Sequence, residues 1–228
     1  MPKYNGRFVV KDIANGVQYL ADLLYQFELG DTLVAPWILG GTVPTIASDG
    51  SIRLYDNGAG VGSSLAQYPM ANTKGEFLGI IHFKITRKAD DTSLDPYALY
   101  AGLSADAVGN SGIIFWRNGA ANVLGAWNNA LPAGSTTLII VGTLTAEQEY
   151  VVDTVITSEQ VIFIVDGIRR GAISRSTRGT APLPTNQNQV WRAGSKMVIL
   201  YAGHAAGQVS HYRVRDIKVG RLAGIGSV

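Results

Sequence analysis

Apolar and polar residues alternate with a period of two over much of this chain. In Ile81-His82-Phe83-Lys84-Ile85-Thr86-Arg87 the odd positions through 85 are apolar and the even ones polar. That is the pattern of a strand with one buried and one wet face. Runs of this kind, rich in β-branched and aromatic residues, recur from about residue 27 onward. They predict strands at 33–38, 51–55, 79–87, 97–103, 112–117, 122–127, 137–143, 150–157, 160–165, 196–202 and 208–219. Asp49-Gly50, Asn57-Gly58, Asn118-Gly119 and Asp166-Gly167 supply the turn chemistry between them. Val161-Ile162-Phe163-Ile164-Val165 and Met197-Val198-Ile199-Leu200-Tyr201 are apolar at every position. Such strands lie centrally, or their second face is covered by another element or another subunit. In the last strand the inward phase shifts from Tyr212 and Val214 to Ile217 and Val219, which predicts a bulge near Arg215 or Asp216.

The first 26 residues read differently. Ile13, Val17, Leu20 and Leu24 follow a helical spacing, and Asp12 is placed to cap a helix running to about Tyr25. Asn15-Gly16 offers the alternative of a hairpin between residues 8–10 and 17–24. In either form residues 1–26 are an arm leading into a sandwich domain at 27–220, and Ile13, Val17, Leu20 and Leu24 are the candidates for packing on a partner. Residues 221–228 form a short tail with spaced apolar residues.

Composition narrows the classes. The 228 residues are 46% hydrophobic and only 16% charged, with 27 glycines and no cysteine. Disulfides, thiolate metal sites and cysteine nucleophiles are therefore excluded. The net charge of +2 is uneven: residues 1–167 carry nine basic and sixteen acidic residues (net −7), and residues 168–228 carry ten basic residues and one acid, Asp216 (net +9). A basic region of this kind suits a polyanion or an acidic partner, unless the fold interleaves the late strands with early ones. The N-terminus lacks the apolar run of a signal peptide, and no uncharged stretch can span a membrane as a helix. Synthesis in a cytoplasm is the expectation.

The order of features resembles the concanavalin A-like jelly roll shared by legume lectins, laminin G-like modules and many glucanases. The resemblance is carried by Gly30-Asp31-Thr32-Leu33 with Trp37, by Ser48-Asp49-Gly50-Ser51-Ile52-Arg53-Leu54, by Tyr150-Val151-Val152-Asp153-Thr154 leading to Val161 and the Asp166-Gly167 turn, and by Tyr212-Arg213-Val214-Arg215-Asp216-Ile217-Lys218-Val219. It implies an all-β, antiparallel β-sandwich over residues 27–220. The fold hosts binding and catalysis alike.

Candidate chemistry is sparse. The Glu-x-Asp-x-x-Glu pattern of this fold's glycosidases is absent, and the nearest approach is Glu147-Gln148-Glu149 with Asp153 beyond. Trp116, Trp127 with Asn128 and Asn129, and Trp191 stand where strands meet loops, and they are the candidate carbohydrate contacts. Trp37 reads as core. Asp90, Asp91 and Asp95 offer oxygens to calcium, without the spacing of a calcium loop. His204 and His211 lack a third metal ligand at diagnostic spacing. The glycine-rich run 58–64 has no lysine after its last glycine and reads as a loop, not a phosphate cradle. Arg169, Arg170, Arg175, Arg178 and Arg192 have too few interleaved aromatics for a nucleic-acid surface.

These features predict a non-catalytic structural or surface-recognition protein. Strands apolar on both faces, apolar termini and low charge point to a virion component (a capsid decoration, fibre or tail-attached subunit) located on an assembled particle. It would act without cofactor or membrane, through contacts with copies of itself and other proteins of the assembly, and with a cell-surface glycan as a further partner. The alternatives are a lectin-like carbohydrate-binding module and a glycoside hydrolase or polysaccharide lyase of the same fold.

Overall fold

The computed structural model describes residues 6–28, 30–70, 77–94, 99–104, 112–118, 123–128, 137–174 and 196–228. The strands are β1 (Arg7–Asp12), β2 (Val17–Phe27), β3 (Ile38–Gly41), β4 (Thr45–Ile46), β5 (Ile52–Asp56), β6 (Gly62–Met70), β7 (Gly79–Arg87), β8 (Leu99–Ser104), β9 (Gly112–Asn118), β10 (Val123–Asn128), β11 (Thr137–Thr143), β12 (Glu149–Ile156), β13 (Gln160–Val165), β14 (Ile168–Ser174), β15 (Lys196–His204) and β16 (Ser210–Ser227). One sheet runs β1-β2-β16-β7-β12-β13-β14, with β5 on β16 and β4 on β5. The other runs β11-β10-β9-β8-β15-β6-β3. Among the described residues every pairing between these strands is antiparallel. The two sheets form a β-sandwich of the jelly-roll type that the resemblance implies, built from the strands that the alternation predicts.

Between the sheets lies the main core. Ile81, Phe83 and Ile85 of β7 meet Val152 and Ile156 of β12, Phe163 of β13, and Tyr212, Val214, Ile217 and Val219 of β16, all buried. Each such side chain stabilises the fold by about 1.5–3 kcal/mol through its removal from water. The turn between β13 and β14 is closed by Asp166 and Gly167, both at positive φ (52° and 73°), as the Asp-Gly pair predicts. The strand expected at 33–38 starts only at Ile38.

The arm takes the hairpin that Asn15-Gly16 offers and not the helix. Residues 7–27 form the hairpin β1–β2, turned by a single 3₁₀ turn (Ile13–Asn15) and by Gly16 at φ 65°. The physical reason lies in the alternation of Val17, Tyr19 and Ala21, which line a second apolar cluster with Val10, Ile80, Val155, Ile162 and Ile164. A helix would have scattered these residues around its circumference. Ile13 and Leu24, chosen by helical spacing, are instead exposed. β2 then slips by one residue against β16 at Leu24, since Leu23 faces Gly220 and Tyr25 faces Val219. This slip turns Tyr25 and Phe27 into the main core.

The expected C-terminal tail is also structured, because β16 extends to Ser227 along β2. Gly220 is indispensable to that close approach: a Cβ there would stand 2.7 Å from both Ala21 Cβ and Phe8 Cε1. The hairpin bends back over the sheet. The Ile13 amide donates to Gly167 O at 2.8 Å, and the Arg169 amide to Asp12 Oδ1 at 3.4 Å. The second cluster therefore sits on the outer face of the nine-stranded sheet, covered by the chain's own N-terminus. This explains why β13 is apolar on both faces without invoking another subunit.

Candidate active site

The outer face of the nine-stranded sheet is apolar at one end and charged further along. On β7 the outward positions are Ile80, His82, Lys84 and Thr86, so the second apolar cluster passes directly into charge. His82 pairs in register with Asp153 of β12 on one side and Lys218 of β16 on the other. Its Nδ1 lies 2.6 Å from Asp153 Oδ1, and its Nε2 lies 3.4 Å from Asp216 Oδ2. The Phe8 ring is 6.5 Å away, centroid to centroid, and screens the imidazole from the side.

Asp216 reaches this position through the bulge predicted near Arg215 or Asp216. The register of β16 against β7 shifts between Arg215 and Lys218, and Asp216 takes φ 53°. Bulges re-aim side chains, and here the carboxylate is brought over the neighbouring strand. Lys218 Nζ lies 2.6 Å from its Oδ1 and Lys84 Nζ 3.3 Å from its Oδ2. Partial burial pushes Asp216 up, but Lys218, His82 and Lys84 prevail and hold its pKa at about 2. It remains an anion at any physiological pH.

Asp153 behaves oppositely. Its side chain is only 6% exposed, and burial pushes its carboxyl up. Burial alone would lower His82, yet the hydrogen bond and charge of Asp153, with the charge of Asp216, raise it above its ordinary value. Because a carboxylate can only accept, His82 Nδ1–H donates to Asp153, and Nε2 is left on the Asp216 side. The arrangement is an imidazole oriented by a buried carboxylate and flanked by a permanent anion. It can deliver or take a proton at Nε2 near neutral pH.

An open cleft of about 330 Å³ adjoins the cluster, lined by Lys84, Asp216, Arg215, Glu28, Asp49 and Gly50. A polar shelf formed by Thr86, Lys88, Ser51 and Arg213 continues from it. The basic residues of β16 are balanced locally: Arg215 makes a bidentate pair with Glu149 (2.6 and 3.0 Å), and Arg213 Nη1 lies 3.7 Å from Asp49. The −7 and +9 halves of the sequence thus interleave in space here.

The residues singled out from sequence are distributed elsewhere. Glu149 is engaged with Arg215, and Glu147 receives the Ala89 amide and Lys88, so the two do not form a free carboxylate pair. Trp116 lies in β9, its backbone paired with Tyr100 and Gly125, while Trp127 and Asn128 lie in β10. Asn129, Trp191, Asp95, Arg175, Arg178 and Arg192 fall outside the described residues. Asp90 holds His211 Nδ1 at 2.7 Å, and Asp91 accepts the His211 amide at 3.0 Å. Among the described residues no three His, Cys, Asp or Glu converge as a metal would need. His204 is buried, with Nδ1 donating to Ala205 O at 2.7 Å. Ile13, Val17, Leu20 and Leu24 belong to the hairpin and its turn.

His82 and Asp216 were missed because one sits on a strand face read as merely wet and the other at a bulge. A signal was available in Asp153, an acid set in the apolar run Val151-Val152-Asp153-Thr154-Val155. A carboxylate so placed requires a buried partner.

No family model matches the chain, and no curated protein matches it in sequence. Solved structures do share its fold. An endo-β-1,3-glucanase from Pyrococcus furiosus superposes with a TM-score of 0.63 at 10% identity, covering 95% of this chain and 98% of that one. A carbohydrate esterase from the Shiga toxin-encoding bacteriophage phi24B gives 0.59 at 13% identity, covering 89% and 100%. A family 7 alginate lyase gives 0.51 at 10%, covering 80% and 83%. At these identities the likeness is one of fold, the concanavalin A-like jelly roll.

The expectation of a non-catalytic virion protein is corrected by these neighbours, which are enzymes acting on carbohydrates. Part of its physical basis also falls away. The second apolar face of β13, and the apolar terminal segments, are accounted for by the N-terminal hairpin and β16 closing over the outer face.

Proposed function

We propose that the chain is a carbohydrate-active enzyme that cleaves glycosidic bonds in a polysaccharide, with His82 as its acid–base group. The observation that carries this reading is the clamping of His82 between buried Asp153 and ionised Asp216 beside an open cleft. Hydrolysis and elimination both require the leaving glycosidic oxygen to gain a proton. An imidazole whose pKa is raised carries that proton near neutral pH and presents it from Nε2. Asp153 fixes the ring and its tautomer, as a buried acid does behind a catalytic histidine. Asp216, held ionised by Lys218 and Lys84, favours the protonated imidazole before transfer and stabilises positive charge developing at the sugar ring. The fold shared with an endo-β-1,3-glucanase and an alginate lyase supports the same reading.

The test is an assay for new reducing ends and for unsaturated uronate ends over a panel containing β-1,3-glucan and alginate. Wild type releases product from at least one member, and His82→Ala lowers the rate by about 10²-fold or more. Absence of product across the panel, or an unchanged rate in His82→Ala, overturns the proposal.

A further inference from the structure

A second cleft of about 260 Å³ opens where the end of β2 meets β6, and it has a different chemistry. Its floor is aromatic. Tyr25 and Tyr68 stack with ring centroids 3.9 Å apart, and Trp37 meets both edge-on at 6.2 and 5.3 Å. Tyr25 and Trp37 are locked in the main core, whereas Tyr68 is half-buried. The wall is an exposed segment that includes Asp31, Thr32 and Val34, and Val34 is 63% exposed. A concave site with rigid rings below and a few polar groups at its rim has the general composition of a small-molecule site. Its volume suits one ring-sized group.

Its position gives it meaning. Glu28 lines the charged cleft, and Asp31 lines the aromatic one. These two residues are tied to each other, the Glu28 amide donating to Asp31 Oδ2 at 2.7 Å and the Asp31 amide to Glu28 O at 3.1 Å. Gln26, which also lines the aromatic cleft, pairs in register with Lys218, the cation on Asp216. One tied pair of residues therefore separates two clefts that share a rim.

We propose that the aromatic cleft is a subsite for a further sugar residue of the polysaccharide chain whose scissile bond is held at His82. This rests on the cleavage reading above. The less polar face of the sugar ring lies against Tyr68 and Val34, and its hydroxyls meet Asp31, Thr32 and Gln26. Binding energy gained here holds the chain in place without touching the proton transfer, so its loss raises KM and leaves kcat nearly unchanged.

The experiment is affinity electrophoresis of the full-length His82→Ala protein through gels containing laminarin or alginate, repeated with Tyr68→Ala and with Val34→Asp added. Val34→Asp alters only an exposed wall, so it keeps the test valid should Tyr68→Ala unfold. Retention of the parent, weakened by about five-fold or more in both variants with unchanged melting curves, is the expected result. Parent-like retention in Val34→Asp and in folded Tyr68→Ala overturns the subsite while leaving the cleavage reading intact. If the parent is not retained in either gel, the subsite fails. If wild type also releases no product from the panel, the cleavage reading fails with it.

Discussion

Two histidines on the same outer face are each held by an aspartate at nearly the same distance, and they are pushed in opposite directions. His82 Nδ1 lies 2.6 Å from Asp153, and His211 Nδ1 lies 2.7 Å from Asp90. Burial lowers both. At His82 a buried aspartate and a second anion, Asp216, overcome it. At His211 burial prevails over Asp90, which is 57% exposed, and the nearby Arg53 and Arg213 lower the pKa further. His211 Nε2 is also occupied, accepting from Arg53 Nε at 3.3 Å, and Tyr55 packs edge-on against the ring. A His–Asp contact alone therefore assigns no chemistry. The depth of the carboxylate and the sign of the charge facing Nε2, the Asp216 anion at His82 and the Arg53 cation at His211, separate the proposed proton donor from a structural tie.

The contrast is broken or sharpened first by activity. His82→Ala is expected to lose about 10²–10⁴-fold in rate, while His211→Ala stays within about three-fold of wild type, because the proposed proton transfer is assigned to His82 and not to His211. Equal losses in the two variants would break the distinction.

Stability gives the next effect. Removing Asp153 strands a buried imidazole, so Asp153→Ala is expected to cost about 3–5 kcal/mol in urea unfolding. Asp90→Ala removes a mostly exposed partner and is expected to cost about 1 kcal/mol or less. Asp153→Asn keeps the shape, and it tests whether the tautomer matters by lowering kcat more than stability.

The pH dependence separates the pair by sign. His82 is raised in the folded state, so its contribution is fully present below the ordinary histidine value and is lost as pH rises through the folded value. His211 is lowered, so its contribution is present above the ordinary value and is lost as pH falls through the folded one. Unfolding measured from pH 5 to 9 in His82→Gln and His211→Gln, each subtracted from wild type, is expected to give slopes of opposite sign. Asp216, held at about 2, contributes stability that is present above the ordinary Asp value and lost as pH falls toward 2. Asp216→Asn is expected to flatten that acid limb and cost about 1–2 kcal/mol at pH 7 after allowance for solvent screening. The smallest effect belongs to Arg215→Ala, where an exposed bidentate pair with Glu149 is worth about 0.2–1 kcal/mol.

The sandwich was legible where alternation was uninterrupted. β7 was predicted at its observed bounds, Gly79 to Arg87, with a plain period of two from Ile81, and β16 showed its bulge as a change of phase. Asn15-Gly16 offered the hairpin, but Ile13, Val17, Leu20 and Leu24 also fit a helical spacing, and a one-residue slip at Leu24 breaks the period of two where β2 passes from one core to the other. The site was less legible still. His82, Asp153 and Asp216 are 71 and 134 positions from one another along the contacts they make, and only strand register brings them together. Asp153 in its apolar strand announced that a partner existed, but nothing local to it named His82.

The most direct test of the central claim is an NMR titration of the imidazole nitrogens of His82 and His211 in the full-length protein, with and without a soluble oligosaccharide of the cleaved polymer. His82 is expected to titrate above the ordinary histidine value with its proton on Nδ1, and to shift on adding the sugar. His211 is expected to titrate below that value and not respond. A His82 that titrates below His211, or that ignores the sugar, would contradict the assignment.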